Sequence, residues 1–409
     1  LSGHIIWQKC LGGTSDETGR DVALLPDGGI LVLGFSYSSD GDVPMNRGYA
    51  DYWVVHLDSS GNIVTSMTYG GSGVDVPLSI QPTSAGGYIV CGYSYSSDGD
   101  VTGNHGSDDA WIVHADSSGA IIWQKCIGTS GFDWGNAIIE VPGGWVWTGA
   151  YGGNDGDFSE FQGSFDLYMG MIDLSGNIIS LSDWGGSGYD DGISVRPDTD
   201  GGYLIAGMTS SFDGDVLNCH GGYDAWLIKV SPAGELVWQK CLGGSLDDFG
   251  VSVIPVSDGY LFGATSSSSD GDVSVNHGGS DIWIGKISWF PEISGIVPES
   301  GLSGYMVPFM VSGSGFIPQA VVNLSRTGEV NCTASVVSVP NARYIHGRFH
   351  LPADMTPGLW NLTVNQGGLF SNDNVQFQVN PSPGIPVGHK PTHSLERGWK
   401  SHLSDEFSV

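Results

Sequence analysis

Self-similarity at a fixed spacing constrains this chain more than any single residue does. The fragment Ser-Asp-Gly-Asp-Val, or a close variant, recurs with its first aspartate at Asp40, Asp98, Asp155, Asp213 and Asp270. The steps are 58, 57, 58 and 57 residues, a period typical of propellers, solenoids and arrays. Unit two reads as four strands, at residues 79–82, 88–95, 109–114 and 121–126, separated by Gly/Asp/Ser turns. Short alternating runs bounded by such turns predict hairpin meanders. Four antiparallel strands repeated about an axis predict the blade of a β-propeller.

The fifth unit stops one strand early, because residues 281–288 run straight into Trp289-Phe290-Pro291. The missing piece is at the other end of the chain. Residues 4–13, with Trp7-Gln8-Lys9-Cys10-Leu11-Gly12-Gly13, match the fourth strand of unit four, Trp238-Gln239-Lys240-Cys241-Leu242-Gly243-Gly244. The reading is therefore all-β: a five-bladed β-propeller over residues 1–290, closed by the N-terminal strand. Closure removes the open sheet edges that invite aggregation.

Acidic positions recur in every unit. One set is the Asp-Gly-Asp pair: Asp40/Asp42, Asp98/Asp100, Asp155/Asp157, Asp213/Asp215 and Asp270/Asp272. A second lies eleven residues beyond the first of each pair, at Asp51, Asp109, Asp166, Asp224 and Asp281. A third follows the fourth strand, at Glu17, Asp75, Asp133, Asp190 and Asp248. Alternating strand direction brings all of them to one face. Two readings follow. The side chains accept bonds from nearby backbone N–H groups and fix the loops, or the first two sets bind Ca²⁺, a hard cation that takes six to eight oxygens. Crowded like charges repel and raise one another's pKa, which keeps the metal reading open. His105, His220 and His277 share one loop position that Arg47 and Gln162 fill elsewhere. That exchange predicts a hydrogen-bonding role rather than a transition-metal ligand. Trp53, Trp111, Trp226 and Trp283, with Tyr168 in unit three, sit two residues after the second set and are expected to pack between blades.

Composition narrows the partners. The net charge of −30 argues against nucleic acid and anionic membranes, which attract basic patches. Frequent Gly (65 residues) with 11% aromatics fits a turn-rich globular chain rather than a disordered one. No apolar run reaches membrane-spanning length. Residue 1 runs almost directly into strand-like sequence, as in a processed chain. Of the six cysteines, Cys10, Cys126 and Cys241 occupy one repeat position in non-adjacent units, too far apart to pair with one another. All six are expected as buried free thiols in strands.

After Pro291 the repeat ends. Ile296-Val-Pro-Glu-Ser-Gly301, the run Gly313-Ser-Gly-Phe316 and Gly358-Leu-Trp-Asn-Leu-Thr-Val364 with Phe377-Gln-Val379 resemble the IPT/TIG family of immunoglobulin-like domains. Trp360 stands where that family usually has Tyr. The resemblance implies an Ig-like β-sandwich over residues 291–380, used as a spacer or adhesion module. The Trp-Gln-Lys-x-x-Gly-Gly and Ser-x-Asp-Gly-Asp-Val units look like repeats of large surface proteins in methanogenic archaea and some bacteria. That likeness implies an extracellular or cell-surface location. Sequons at Asn323, Asn331 and Asn361 are expected glycosylation sites of an exported protein. Residues 381–409 read as an extended tail able to add to a neighbouring copy.

A catalytic pair should break the repeat symmetry, whereas most of these acids obey it. The exceptions are Glu140, Trp145, Trp147, Glu160 and Phe161 in unit three, and Asp183 and Asp191 in unit four. No nucleophile, metal-protease or phosphate-loop signature occurs. The expectation is a non-enzymatic structural protein of a surface layer, sheath or filament, partnered by itself or other surface proteins. The alternatives are a glycan-binding lectin or adhesin and, last, a glycoside hydrolase.

Overall fold

The computed structural model describes residues 3–382, apart from 257–258, 289–290, 317–319, 342, 367–368 and 372–374. The expected tail falls almost wholly outside the described residues. The chain divides into Leu1–Ile287 and Ser288–Val409.

In the first unit the described strands are all antiparallel and follow the repeat. Four sheets have four strands each, paired in chain order. Sheet two runs through Asp75–Pro82, Tyr88–Ser94, Asp109–Ala115 and Ile121–Ile127. The first strands of the five sheets are Glu17–Leu24, Asp75–Pro82, Asp133–Val141, Asp190–Pro197 and Asp248–Val256. Each of these lies against the first strand of the next, so they are the inner strands. In sheets two and four the third strand is wholly enclosed, with every residue of Asp109–Ala115 and Asp224–Val230 buried. The architecture is all-β with repeated sheets, consistent with a β-propeller.

The repeated motifs act as packing devices. Trp111 is fully buried, and its indole N–H donates to Gln124 at 2.7 Å. Trp226 and Gln239 repeat this at 2.8 Å, which explains the Trp-Gln-Lys motif of the fourth strand. Gly99 has φ 65°, and a Cβ there would lie 2.4 Å from the Gly70 carbonyl oxygen. Only glycine allows the Asp-Gly-Asp loop to approach the neighbouring sheet this closely.

The fifth sheet has three described strands, Asp248–Val256, Gly259–Ser266 and Asp281–Ser288. Residues 4–13 do not pair with its edge and form no strand. The faces on either side of this gap are open. Val22 is 67% exposed, although its counterparts Ile80, Ile138, Val195 and Val253 are buried. Ile282 and Ile284 are also exposed, whereas Ala110 and Ile112 at the same positions are buried.

The second unit has two sheets around one apolar core. One sheet contains Glu292–Val297, Met306–Ser314, Tyr344–His350 and Ser335–Asn341. The other is built on Val321–Ser325, Gly358–Gln366 and Gln376–Asn380. Phe309, Phe349, Trp360 and Phe377 fill the space between them.

The cysteine expectation needs correction. Cys219 and Cys241 form a disulfide, with Cα atoms 5.2 Å apart. Asn46, Asn104 and Asn276 occupy the Cys219 position in other units, where each donates to a carbonyl at the end of the second strand. In unit four a covalent bond replaces that tie. Cys91, Cys126 and Cys332 are buried and free as expected, but Cys10 is exposed.

Candidate functional site

The symmetric acids converge where one sheet meets the next. The outgoing turn of sheet one, Gly70 to Ser72, is gripped by three carboxylates. Asp75 accepts from the Gly71 N–H at 2.8 Å, from Ser96 Oγ at 2.9 Å and from Ser94 Oγ. Asp98 accepts from the Ser72 N–H at 2.7 Å, and Asp100 from the Gly70 N–H at 3.3 Å. The same grip recurs downstream. Asp155, Asp213 and Asp270 each accept from a serine N–H at 2.7 Å. Asp157, Asp215 and Asp272 each accept from a glycine N–H at 3.0–3.4 Å. Asp133, Asp190 and Asp248 take the positions of Asp75.

The set at Asp51, Asp109, Asp166, Asp224 and Asp281 holds its own loop. Each accepts from the backbone N–H four residues earlier, at Arg47, His105, Gln162, His220 and His277. The variable side chain at that earlier position then reaches toward the next sheet. Arg47 lies 2.9 Å from Asp100, and Gln162 donates to Asp215 at 3.2 Å. His105 and His220 come within 4.0 Å of Asp157 and Asp272. The shared requirement is a donor facing an acid, and Arg, Gln and His all meet it.

These junctions are tight and electrostatically strained. A Cβ on Gly70 would lie 2.5 Å from Asp75 Oδ2 and 2.6 Å from Asp51 Oδ1, so two carboxylates converge on bare backbone. Burial pushes the carboxyls of Asp51, Asp133 and Asp166 up to about 6. Asp51, Asp166, Asp224 and Asp248 each keep one buried oxygen without a partner. For the alternative reading of Ca²⁺, the Asp-Gly-Asp pairs fit poorly. N–H groups already point at Asp40, Asp42 and their repeats, and a cation at the same oxygens would be repelled by those dipoles. Among the described residues, the group of side chains close enough to share a metal joins Asp224 of the second set to Cys219 and Cys241, whose sulfurs are held in the disulfide.

Residues 12–14 make the same grip on sheet one. The Gly12 N–H donates to Asp42 at 3.2 Å and the Thr14 N–H to Asp40 at 2.8 Å. Glu17 accepts from the Gly13 N–H at 3.1 Å. A Cβ on Gly61 would lie 2.9 Å from the ring of Trp7, and one on Gly176 lies 2.9 Å from that of Trp123. The N-terminal segment thus sits on sheet one as each fourth strand sits on the sheet after it.

A second set of residues breaks the symmetry and was not singled out as a group from sequence. It occupies the rim where inner strands begin. Residues just before the third strand of one sheet bridge those just before the first strand of the next: Ala50 with Val74, Asp108 with Phe132, Phe165 with Tyr189. The first of these pairs is small and apolar, and the next two are acidic or aromatic. Asp108 Oδ2 accepts from the Trp134 indole N–H at 3.0 Å. Trp134 stacks on Phe165 at 4.9 Å between ring centroids, Phe165 meets Tyr189 at 5.0 Å, and Tyr189 meets Tyr223 at 5.8 Å. Asp191 accepts from Asn136 Nδ2 at 2.7 Å and from the Tyr189 hydroxyl at 3.4 Å. Burial raises Asp108 to about 6 and Asp191 to about 7.

The other outliers have plain roles. Trp145 and Trp147 are buried core. Glu140 accepts from Ser84 N–H and Oγ, tying sheet three to sheet two. Asp183 accepts from the Tyr151 hydroxyl, and the carbonyl of Glu160 accepts from that same hydroxyl.

No protein-family model matches the chain, and no curated protein matches it. Among solved structures, it is similar to a β-fructofuranosidase of Bombyx mori in complex with sucrose, at 8% identity and TM-score 0.29, over 89% of this chain and 87% of that one. It is also similar to a protein of Bacteroides fragilis assigned as a 6-phosphogluconolactonase, at 11% identity and TM-score 0.31, over 87% and 96%. A glucan-utilization-locus protein of Bacteroides ovatus, in complex with a mixed-linkage heptasaccharide, matches at 11% identity and TM-score 0.19 over 58% and 60%.

Proposed function

We propose that this chain is a non-enzymatic structural protein of an extracellular or cell-surface assembly, with a five-bladed propeller as its rigid block. The observation that carries the reading is the repeated grip. Each of the recurring carboxylates accepts from a backbone N–H group, and in this reading they act as joinery. Ca²⁺ is not needed to hold the junctions in this reading.

The ring is closed by residues 4–11 as the fourth strand of the fifth sheet. Their grip on sheet one, the exposed faces beside the gap and the unpaired edge of Asp281–Ser288 all support closure. In the register of Asp109–Ala115 with Ile121–Ile127, Lys125 faces Ile112, which sets Lys9 opposite Ile284. Gln8 then accepts from Trp283 as Gln124 does from Trp111. With Cys10 replaced by Ser, a Lys9→Cys, Ile284→Cys pair should form an intrachain disulfide on oxidation. Introduced thiols at positions 9 and 284 that stay free after oxidation would rule closure out.

The second unit is an IPT/TIG-type module in this reading. The disulfide supports an oxidising compartment, and among the described residues no helix is long and apolar enough to cross a membrane. Of the three sequons, Asn331 is the exposed one. Asn323 and Asn361 spend their side-chain oxygens on Thr333 and Gln376. In this reading Asn331 is the sequon that carries a glycan. Negative-stain microscopy of the purified chain tests the function: ordered polymers are expected, and monodisperse particles at every protein concentration and ionic strength would overturn it.

A further inference from the structure

The rim arc is built differently from the junctions that surround it, because its acids do not recur from unit to unit and lie among partly exposed aromatic rings. Asp108 is fully buried. The repeat does not require it, since Ala50, Phe165, Tyr223 and Ser280 hold the same position in the other units. Phe132 bridges to Asp108 and is 45% exposed, and Tyr95 is exposed to the same degree. Partly exposed aromatic rings therefore flank a carboxylate that accepts from the Trp134 indole on one oxygen and faces the Tyr95 hydroxyl.

We propose that this arc, centred on Asp108, Phe132 and Trp134 and extending through Phe165 and Tyr189 to Asp191, is a binding site for a neutral saccharide. The chemistry matches on three counts. A sugar ring has an apolar C–H face that lies against an aromatic ring and a polar edge of hydroxyls, so it meets amphipathic aromatic surfaces well. Its hydroxyls both donate and accept, which suits an arc that mixes carboxylates with Asn136 and the tyrosine hydroxyls. Asp108 and Asp191 bond to Trp134, Asn136 and Tyr189 rather than to Lys or Arg, and with a net charge of −30 an anionic ligand is disfavoured. A few convergent polar groups among aromatic walls are the usual make-up of a small-molecule site. The inference does not depend on assembly, because a monomer carries the whole arc.

Titration of the full chain with a panel of neutral hexasaccharides (β-1,4-, β-1,3- and mixed-linkage glucans, mannan and chitin oligomers), by calorimetry and tryptophan fluorescence, tests it. At least one should bind, with a fluorescence change that Trp134→Phe reduces. Phe132→Ala should weaken binding about tenfold at unchanged melting temperature, because that ring is largely exposed. Binding unaffected by Phe132→Ala, or no binding tighter than about 1 mM by any member, would overturn the proposal. Binding of choline or spermidine in place of sugars would overturn it too, by assigning the arc to cations.

Discussion

Asp190 and Asp191 are adjacent in the chain and belong to different structures. Asp190 repeats in every unit as an acid and is gripped on both oxygens, by the Gly186 N–H, Ser211 Oγ and Thr209 Oγ1. Asp191 has Thr18, Val76, Trp134 and Phe249 as its counterparts and bonds within the rim, to Asn136 and Tyr189. Asp109 and Asp108 differ in the same way. Burial raises all four carboxyls, so titration behaviour does not separate joinery from a candidate binding site. Symmetry does, and donor count does not: Asp191 has a partner on each oxygen, whereas Asp51, Asp166, Asp224 and Asp248 each keep one oxygen without a partner. An acid that recurs and grips the neighbouring turn holds sheets together; an acid that occurs once among partly exposed rings is available for something else.

The widest separation between the two regions should come from paired amides. Asp190→Asn places an NH₂ group against hydroxyl and N–H donors, and at least one buried partner is left unsatisfied. The expected loss is about 3 kcal/mol, read by denaturant unfolding. Asp191→Asn keeps an acceptor for Asn136 and removes a charge that burial disfavours, so it should change stability by less than about 1 kcal/mol. Equal losses in the two variants would erase the distinction.

The disulfide comes next. Cys219 and Cys241 are 22 residues apart, and reducing the bond, or Cys219→Ser, should cost about 2–3 kcal/mol. Restoring the tie of the other units with Cys219→Asn should recover part of that loss, since Asn46 and Asn104 do the same work without a covalent bond.

A smaller effect is the pH response. Asp51, Asp133 and Asp166 at about 6, with Asp108 at about 6 and Asp191 at about 7, lie above their usual value near 3.8. Their folded forms therefore bind protons more tightly than the unfolded chain does. Between about pH 4 and 7 the folded state holds more protons, so stability rises as pH falls through that window. The melting temperature should be higher at pH 5 than at pH 8, by on the order of 5 °C. The double variant Asp108→Asn, Asp191→Asn should reduce the rise only in part, and its complete loss would move the effect from the junctions to the rim.

Much of this was legible in the repeat itself. The period located the strands because each unit must bury the same faces. The exchange of His105 for Arg47 and Gln162 correctly pointed to hydrogen bonding, since only donor capacity survives the substitution. The Trp-Gln-Lys motif marked fourth strands but not why Gln follows Trp, because Gln124 serves a tryptophan one strand away, Trp111. The rim was hidden because its residues align with Ala, Val, Ser and Thr elsewhere, and only the bridges between successive sheets bring Asp108 beside Phe132. Cys219 was hidden for a related reason: its partner is set by a loop folding back on the fourth strand, which spacing alone does not specify.

Differential scanning calorimetry of the full chain, in millimolar calcium and again in excess EDTA, bears most directly on the claim that the symmetric carboxylates are joinery. Backbone N–H groups at Asp98, Asp100 and their repeats are present with or without metal, so the two midpoints should coincide. A midpoint that rises by several degrees in calcium, and loses that rise in Asp98→Asn, would contradict the claim and make these loops a metal site.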